Sequence, residues 1–327
     1  MNDPSLILKS IGYGLVGFGR FCRRRLLPAF QQIRGSKIVA LQKRDRHEAR
    51  REAEKYGIPA GYGDIESLLS DPHVDAVYIT SANCAHEEQA VAAAQAGKHV
   101  LCEKPLATSS EGCRRIIAAC RSAGVLLMVA QTLRFSPLVL QIKRWIAEGI
   151  LGEIVTARAT FSYRVEESPR NWVFDPEVAG GGPMVDVGVH CLDTLRFLMG
   201  DVSEVQAIVT PAGRKNNVER TVEVVLRFAS GVTGGIFCSY EIPYSSRLEV
   251  VGSYGRAYAE SFTLPWADLD LHLETKEQSK CLTVNTGNMY GDLITSFSQA
   301  IRGLQPVAIP GEEGLANQEI IDAIYRG

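Results

Sequence analysis

Up to about residue 130, short apolar runs alternate with segments of helical periodicity. Ser5 to Leu15 leads into the run Ile11-Gly12-Tyr13-Gly14-Leu15-Val16, which reads as a buried parallel strand. Phe21 to Ile33 then carries Leu26, Leu27, Ala29 and Phe30 at near-helical spacing. Lys37 to Gln42 predicts a second strand, and Asp45 to Tyr56 a charged amphipathic helix. A short helix is expected over Glu66–Leu69, a strand over Val74–Thr80 and an alanine-rich helix over Glu87–Ala96. A strand over His99–Cys102, a helix over Ser109–Ala123 and a strand over Val125–Ala130 complete the series. Such alternation implies a doubly wound parallel sheet. The rhythm then changes. After a helix over Ser136–Glu148, strands are expected over Glu153–Tyr163, Glu204–Thr210, Thr221–Phe228, Thr233–Ser239 and Arg247–Val251. Helices from about Asp292 to Gly303 and from Glu312 to Tyr325 close the chain. The expected division is a first domain over 1–130 and a second over 131–327.

Composition narrows the class without naming a function. With 327 residues the chain is comfortable for two domains, and 46% hydrophobic and 22% charged residues are ordinary for a soluble globular protein. A net charge of −2 gives no reason to expect nucleic acid or an anionic membrane as partner. The eight cysteines are scattered with no Cys-x-x-Cys pair, so neither a metal site nor a disulfide framework is expected. His47, His73 and His272 fall in polar surroundings and form no ligand cluster. The opening Met1-Asn2-Asp3-Pro4-Ser5 lacks the basic n-region and long apolar stretch that a secretory leader would show, and no segment approaches the ~20 apolar residues of a membrane span. A cytoplasmic location is the expectation.

The junctions between elements carry the chemistry. Gly17-Phe18-Gly19 follows the first strand at once and opens a helix, the context that a dinucleotide fingerprint demands. The first glycine allows the tight turn; the second lets the backbone approach a pyrophosphate resting on the helix N-terminus. Cys22 stands where a third glycine would permit close helix–strand packing. Gly17, Phe18, Gly19, Arg20 and Phe21 are therefore candidate cofactor contacts. Ligands of such sheets bind outside the carboxyl ends of the strands, where Thr80-Ser81-Ala82-Asn83 and Glu103-Lys104 also fall. The end of the second strand reads Gln42-Lys43-Arg44, with the acid displaced to Asp45. Adjacent cations there favour NADP over NAD, with Arg20 adding to the patch, although both side chains also suit a solvated loop.

Taken in order, these residues resemble the Gfo/Idh/MocA oxidoreductases, the family of glucose–fructose oxidoreductase and inositol dehydrogenase. The resemblance runs through Gly14-Leu15-Val16-Gly17-Phe18-Gly19-Arg20, Asp75-Ala76-Val77-Tyr78-Ile79, and Asn83 with His86. It continues through Gly97-Lys98-His99-Val100-Leu101-Cys102-Glu103-Lys104-Pro105-Leu106, and Trp172 ahead of Gly180-Gly181-Gly182. Asp186-Val187-Gly188-Val189-His190 with Asp193 completes it. The resemblance implies an N-terminal Rossmann domain and a C-terminal α/β domain with a large, open, mostly antiparallel sheet. One face of that sheet commonly forms a homodimer or homotetramer interface, which would bury a surface costly to leave in water. Ala82 departs from the family's usual proline, Lys43 from its ribose-binding acid, and Gly327 ends the chain before the expected last short strand.

The chemistry implied is hydride exchange between a nicotinamide and a secondary alcohol or ketone of a sugar, polyol or sugar derivative. Lys104, directed by Pro105, is the candidate to hydrogen-bond the substrate oxygen; Glu103 would orient its amine or touch the nicotinamide ribose. Asp186 and His190 are spaced to share a helix face behind the Gly180-Gly181-Gly182 run. His190 has the ordinary pKa of a base near neutrality, and Asp186 would orient it, bind substrate, or both. Asp193 fits an orienting or a structural role, and His86 either neighbours the nicotinamide or caps its helix. Trp172 and Tyr163 are candidate substrate contacts, with Arg164 and Arg134 as further ones. Two other readings share the architecture: a redox-neutral enzyme holding its nicotinamide while acting on glycosides, and a non-catalytic nucleotide-sensing scaffold.

Overall fold

The computed structural model describes residues 10–165, 170–211 and 217–326. Of the Ser5–Leu15 stretch that leads into the first strand, residues 5–9 lie outside them. The chain forms two compact units, one of residues 1–130 with 290–318 and one of 131–289 with 319–327.

The first unit is built on a six-stranded, wholly parallel sheet in the order β3-β2-β1-β4-β5-β6. Its strands are β1 Ile11–Val16, β2 Ser36–Gln42, β3 Ala60–Tyr62, β4 Ala76–Ile79, β5 His99–Cys102 and β6 Leu127–Val129. Every residue of β1 and β4 is buried, as central strands covered on both faces require. The crossovers are α1 Leu27–Gln31, α2 Arg46–Tyr56, α3 Ile65–Leu69, α4 His86–Gln95 and α5 Ser110–Ser122. A π-helical turn, Cys22–Leu26, leads into α1. Side-chain caps fix three starts: Asp45 accepts from the His47 and Glu48 amides, Asp64 from Ser67, and Ser109 from Gly112. β3 is an addition to the strands expected from the sequence.

The second unit carries α6 Pro137–Ala147, β7 Ile154–Ser162, α7 Pro176–Ala179 and α8 Val189–Met199. Strands β8 Val202–Val209, β9 Thr221–Phe228, β10 Thr233–Ser239, β11 Ser245–Gly252, β12 Gly255–Glu260, β13 Asp268–Thr275 and β14 Ser279–Asn285 follow. They pair in the order β14-β13-β12-β11-β7-β10-β9-β8, antiparallel except for β7 against β10. In β9, Val222, Val224, Leu226 and Phe228 enter a core shared with Leu192 and Leu195 of α8. Val155, Ile208 and Val225 are exposed apolar residues of the same sheet. The sequence reading passes over β12, β13 and β14.

The closing helices are α9 Met289–Ile301 and α10 Gly311–Arg326. Residues 290–318, expected with the second domain, pack with the first unit instead. The reason is a buried hydroxyl cluster. Ser298 Oγ lies 2.7 Å from both the Tyr13 hydroxyl and Ser36 Oγ, which ties α9 to β1 and β2. Leu293, Ile294 and Phe297 bury the rest of that helix face.

Candidate active site

In the first unit, the candidate residues gather at the carboxyl ends of β1, β4 and β5. Gly17 has φ +78°, and a Cβ there would lie 2.7 Å from Ser81 Cα, so only glycine admits this contact between turns. A Cβ on Gly19 would meet nothing closer than the Gly17 oxygen at 3.6 Å, which leaves that backbone open to a ligand. Thr80 Oγ1 donates to the Val16 carbonyl at 2.9 Å, and Cys22 Sγ lies 3.1 Å from the same hydroxyl. Cysteine therefore does the packing expected of a third glycine, wholly buried against β4. Gln42 Oε1 accepts from the Gly17 amide at 3.2 Å, a contact the sequence did not suggest. Phe18 is buried against Tyr56, Phe21 packs edge-on to Tyr290, and Arg20 is exposed. These features fit a dinucleotide: an open glycine backbone, a helix start behind it, and flanking turns locked together.

Lys43 and Arg44 follow β2 as expected, Arg44 exposed and Lys43 half-buried. Lys43 Nζ pairs with Glu48 at 2.7 Å, a contact to a surface carboxylate that water weakens. Asp45, the displaced acid, is occupied as the cap of α2.

Glu103 is half-buried after β5. It accepts from the Tyr78 hydroxyl at 2.8 Å and from the Lys104 amide at 3.3 Å. Burial pushes its carboxyl up to about 7, while the Lys104 charge and the Tyr78 hydroxyl pull the other way. Lys104 is half-buried and leads into a cis peptide bond with Pro105. Asn83 is buried in the turn before α4. His86 neither caps α4 nor stands exposed: it is wholly buried, with both ring nitrogens facing backbone carbonyl oxygens. His99 accepts from the Leu126 amide at 3.0 Å, a structural part.

In the second unit, Asp186 is the hub. Tyr163 donates to its Oδ2 at 2.6 Å, and Arg170 donates to Oδ1 at 3.0 Å and to Oδ2 at 2.7 Å. Arg170 also donates to the Tyr163 hydroxyl at 2.7 Å, and its guanidinium lies 5.7 Å from the Trp172 ring centre. The Asp186 charge holds Arg170 firmly protonated against the opposing effect of burial. Burial, then Asp186, pushes the Tyr163 hydroxyl well above the usual tyrosine range. Tyr240 packs against Tyr163, ring centres 5.4 Å apart. The sequence names Tyr163 and Asp186 as separate candidate substrate contacts, and the structure joins them by a hydrogen bond; Arg170, given no role there, had its charge beside Trp172 as the available signal.

The spacing of Asp186 and His190 needs a correction. Met184–Gly188 is a π-helical turn, and α8 begins only at Val189, so the two residues are not on one regular α-helix. His190 is half-buried beside Phe161, ring centres 6.0 Å apart. Asp193 is part of the framework: its oxygens accept from Arg134 at 2.9 and 2.8 Å, with side chains 1% and 10% exposed. That pair ties Arg134, read from the sequence as a possible substrate contact, to the framework through Nε and Nη2. Arg164 is exposed.

One buried carboxylate escaped the sequence reading. Glu219 accepts from the Gly182 amide at 2.8 Å and from the Tyr325 hydroxyl at 2.5 Å. A Cβ on Gly182 would lie 2.4 Å from the Glu219 carbonyl oxygen, so the glycine run is pinned at its third position. Among the described residues no cluster of His, Cys, Asp and Glu could hold a metal ion. No described helix is long and apolar enough to cross a membrane.

Comparison with known proteins gives the family. Residues 11–131 match the model of an oxidoreductase family with an NAD-binding Rossmann fold, and residues 139–258 that of the GFO/IDH/MocA C-terminal domain. The chain is 32% identical over 306 residues to a 1,5-anhydro-D-fructose reductase of Ensifer adhaerens, covering 93% of this chain and 92% of that protein. It is 32% identical over 315 residues to D-xylose 1-dehydrogenase (NADP(+)) 2 of Haloferax volcanii, covering 96% of each. Among solved structures, the aldose–aldose oxidoreductase of Caulobacter crescentus, complexed with glycerol, is similar with TM-score 0.90 at 27% identity and 97% coverage of both chains. The 3-ketoreductase KijD10 of Actinomadura kijaniata, in complex with NADP and TDP-benzene, gives 0.89 at 27% identity and 98% coverage of both. The chain belongs to the Gfo/Idh/MocA oxidoreductases and is a dehydrogenase or reductase with a nicotinamide-nucleotide-binding Rossmann domain.

Proposed function

We propose that the protein is an NADP(H)-preferring oxidoreductase of a secondary alcohol or ketone on a sugar, polyol or sugar derivative. The observation that carries this reading is the convergence of three strand ends: the open glycine turn, Thr80-Ser81 packed upon it, and Glu103-Lys104. The names of the relatives, a sugar reductase and a sugar dehydrogenase, support the substrate class. Residues 1–130 would bind the nucleotide; 131–289 would bind the substrate and provide the oligomer surface.

Gly17, Phe18, Gly19, Arg20 and Phe21 would hold the pyrophosphate, while Lys43 and Arg44 would take the ribose phosphate that distinguishes NADP. For that, Lys43 would exchange Glu48 for a doubly charged group, a favourable trade. Thr80, Ser81, Asn83 and Glu103 would shape the nicotinamide end, with His86 wholly buried behind Ser81 and outside the contact surface. The nicotinamide would supply the hydride acceptor in oxidation and the donor in reduction. Lys104 Nζ would donate to the substrate oxygen and stabilise its negative charge as the proton leaves. His190 would accept that proton in oxidation and return it in reduction. Asp186, gripped by Arg170 and Tyr163, would serve as a fixed acceptor. Trp172 would offer a flat apolar surface to sugar C–H groups, and Tyr163 would act through Asp186.

A homodimer or homotetramer through the eight-stranded sheet suits exposed Val155, Ile208 and Val225. A cytoplasmic, reducing setting suits cysteines that are all free thiols, Cys84 and Cys281 among them exposed. The test is a fluorescence titration with NADPH and NADH of the wild type and a Lys43→Ala, Arg44→Ala double variant. The variant should lose about tenfold or more in NADPH affinity and little in NADH affinity, the loss of roughly 1.4 kcal/mol or more. Equal binding of both nucleotides by the wild type would contradict the NADP preference.

A further inference from the structure

His86 opens α4, and no part of its side chain reaches solvent. Its Nδ1 lies 2.8 Å from the Pro105 carbonyl oxygen and its Nε2 3.2 Å from that of Ser81. Pro105 follows Lys104 directly. Ser81 belongs to the turn that only a glycine at position 17 allows to pack so closely. A single imidazole thus spans the loop of the candidate catalytic lysine and the turn beside the nucleotide.

Both ring nitrogens face acceptors, yet a neutral imidazole donates from only one of them. Desolvation opposes a second proton, and the Lys104 charge adds to that opposition, so the ring is held neutral. The shorter contact assigns the proton to Nδ1, which donates to Pro105; Nε2 then meets the Ser81 carbonyl only as a spacer. The two contacts are therefore unequal. One is a hydrogen bond that fixes the exit of Lys104 from β5, and the other is a packing contact with the nucleotide turn.

We propose that His86 is a positioning residue for Lys104, acting through the Nδ1–H bond to the Pro105 carbonyl. The proposal rests on the assignment of Lys104 to the reaction. A displacement of the ammonium by about 1 Å costs on the order of a hundredfold in rate, so the anchor acts on turnover more than on nucleotide affinity.

Two isosteric variants separate the contacts. In His86→Asn the side-chain amide falls near the Nδ1 position and keeps a donor for Pro105. In His86→Gln it reaches the Nε2 position and leaves Pro105 without one. His86→Asn should keep kcat within about threefold of wild type, while His86→Gln should lose about tenfold or more with its NADPH Kd within about threefold. Competitive acetylation of the Lys104 amine by acetic anhydride, read by mass spectrometry against exposed Lys55, should change in His86→Gln and not in His86→Asn. Thermal denaturation reports whether each variant is folded. If His86→Gln does not fold, His86→Ala with and without added imidazole supplies the comparison, and recovery of kcat by imidazole is expected. Wild-type kcat and lysine reactivity in His86→Gln, or equal losses in both variants, would overturn the proposal. If the wild type turns over no sugar substrate, the functional reading fails, and the acetylation comparison still decides the role of His86.

Discussion

Arg170 grips both carboxylate oxygens of Asp186, with Nη1 3.0 Å from Oδ1 and Nη2 2.7 Å from Oδ2. Bidentate pairing of this kind fixes direction as well as charge. Tyr163 adds a third donor at 2.6 Å, so the Asp186 carboxylate is held in one direction. In the proposed reaction it would be an oriented acceptor.

Replacing Arg170 by Met removes the counter-charge of Asp186, whose side chain is only 12% exposed, and leaves it the Tyr163 hydroxyl. Arg170 itself is 39% exposed, so water offsets part of the loss, and we expect a destabilisation of about 1–2 kcal/mol. Turnover should fall by about tenfold or more as the carboxylate loses its direction. Urea denaturation and steady-state kinetics check both. Unchanged kinetics in a destabilised variant would reduce the Arg170–Asp186 pair to a structural part.

The Glu103 carboxyl is raised by burial to about 7, and the sign of its effect on stability follows. In the unfolded chain Glu103 ionises at the ordinary carboxylate value, so folding opposes ionisation in the window between that value and about 7. The wild type therefore loses stability relative to Glu103→Gln as pH rises through this window, by about 3 kcal/mol at full extent. Denaturant melts of both proteins near pH 5 and pH 8 should show the difference growing with pH. A difference that shrinks as pH rises would contradict the burial of this carboxyl.

The Arg134–Asp193 pair lies within the second unit, and its disruption should leave the nucleotide turn untouched. Asp193→Asn leaves a buried guanidinium short of its counter-charge, at a cost of about 3 kcal/mol in stability. NADPH affinity of the folded fraction should stay within about twofold, since the variant touches none of the nucleotide residues. Thermal denaturation with a parallel fluorescence titration makes the comparison.

The parallel half of the fold is legible because its strands are buried on both faces and read as continuous apolar runs. β3 escapes, as three half-buried residues, Ala60, Gly61 and Tyr62, give no pattern. In the second unit β13 carries a plain alternation of Asp268, Leu269, Asp270, Leu271 and His272, which the sequence reading passes over. β12 and β14 are less legible: small alanines fill the core side of one, and most of the other is exposed. The placement of α9 turns on Ser298 meeting Tyr13 and Ser36, hydroxyls more than 260 residues away in the chain. Glu219 is invisible for a similar reason, because its partners are a glycine amide and Tyr325, and no motif joins them. The π turn across Asp186 leaves the residue spacing unchanged, so periodicity cannot reveal it.

The most direct measurement is the formation of reduced nicotinamide by wild-type protein and Lys104→Met, given NADP and a panel of aldoses, ketoses and polyols. We expect saturable turnover by the wild type on at least one sugar-like alcohol. Lys104→Met should lose on the order of a hundredfold or more in kcat while NADPH still binds, the loss of a donor to the developing oxyanion. Undiminished turnover by Lys104→Met, or nucleotide binding without turnover of any such alcohol or of the corresponding ketones with NADPH, would contradict the assignment.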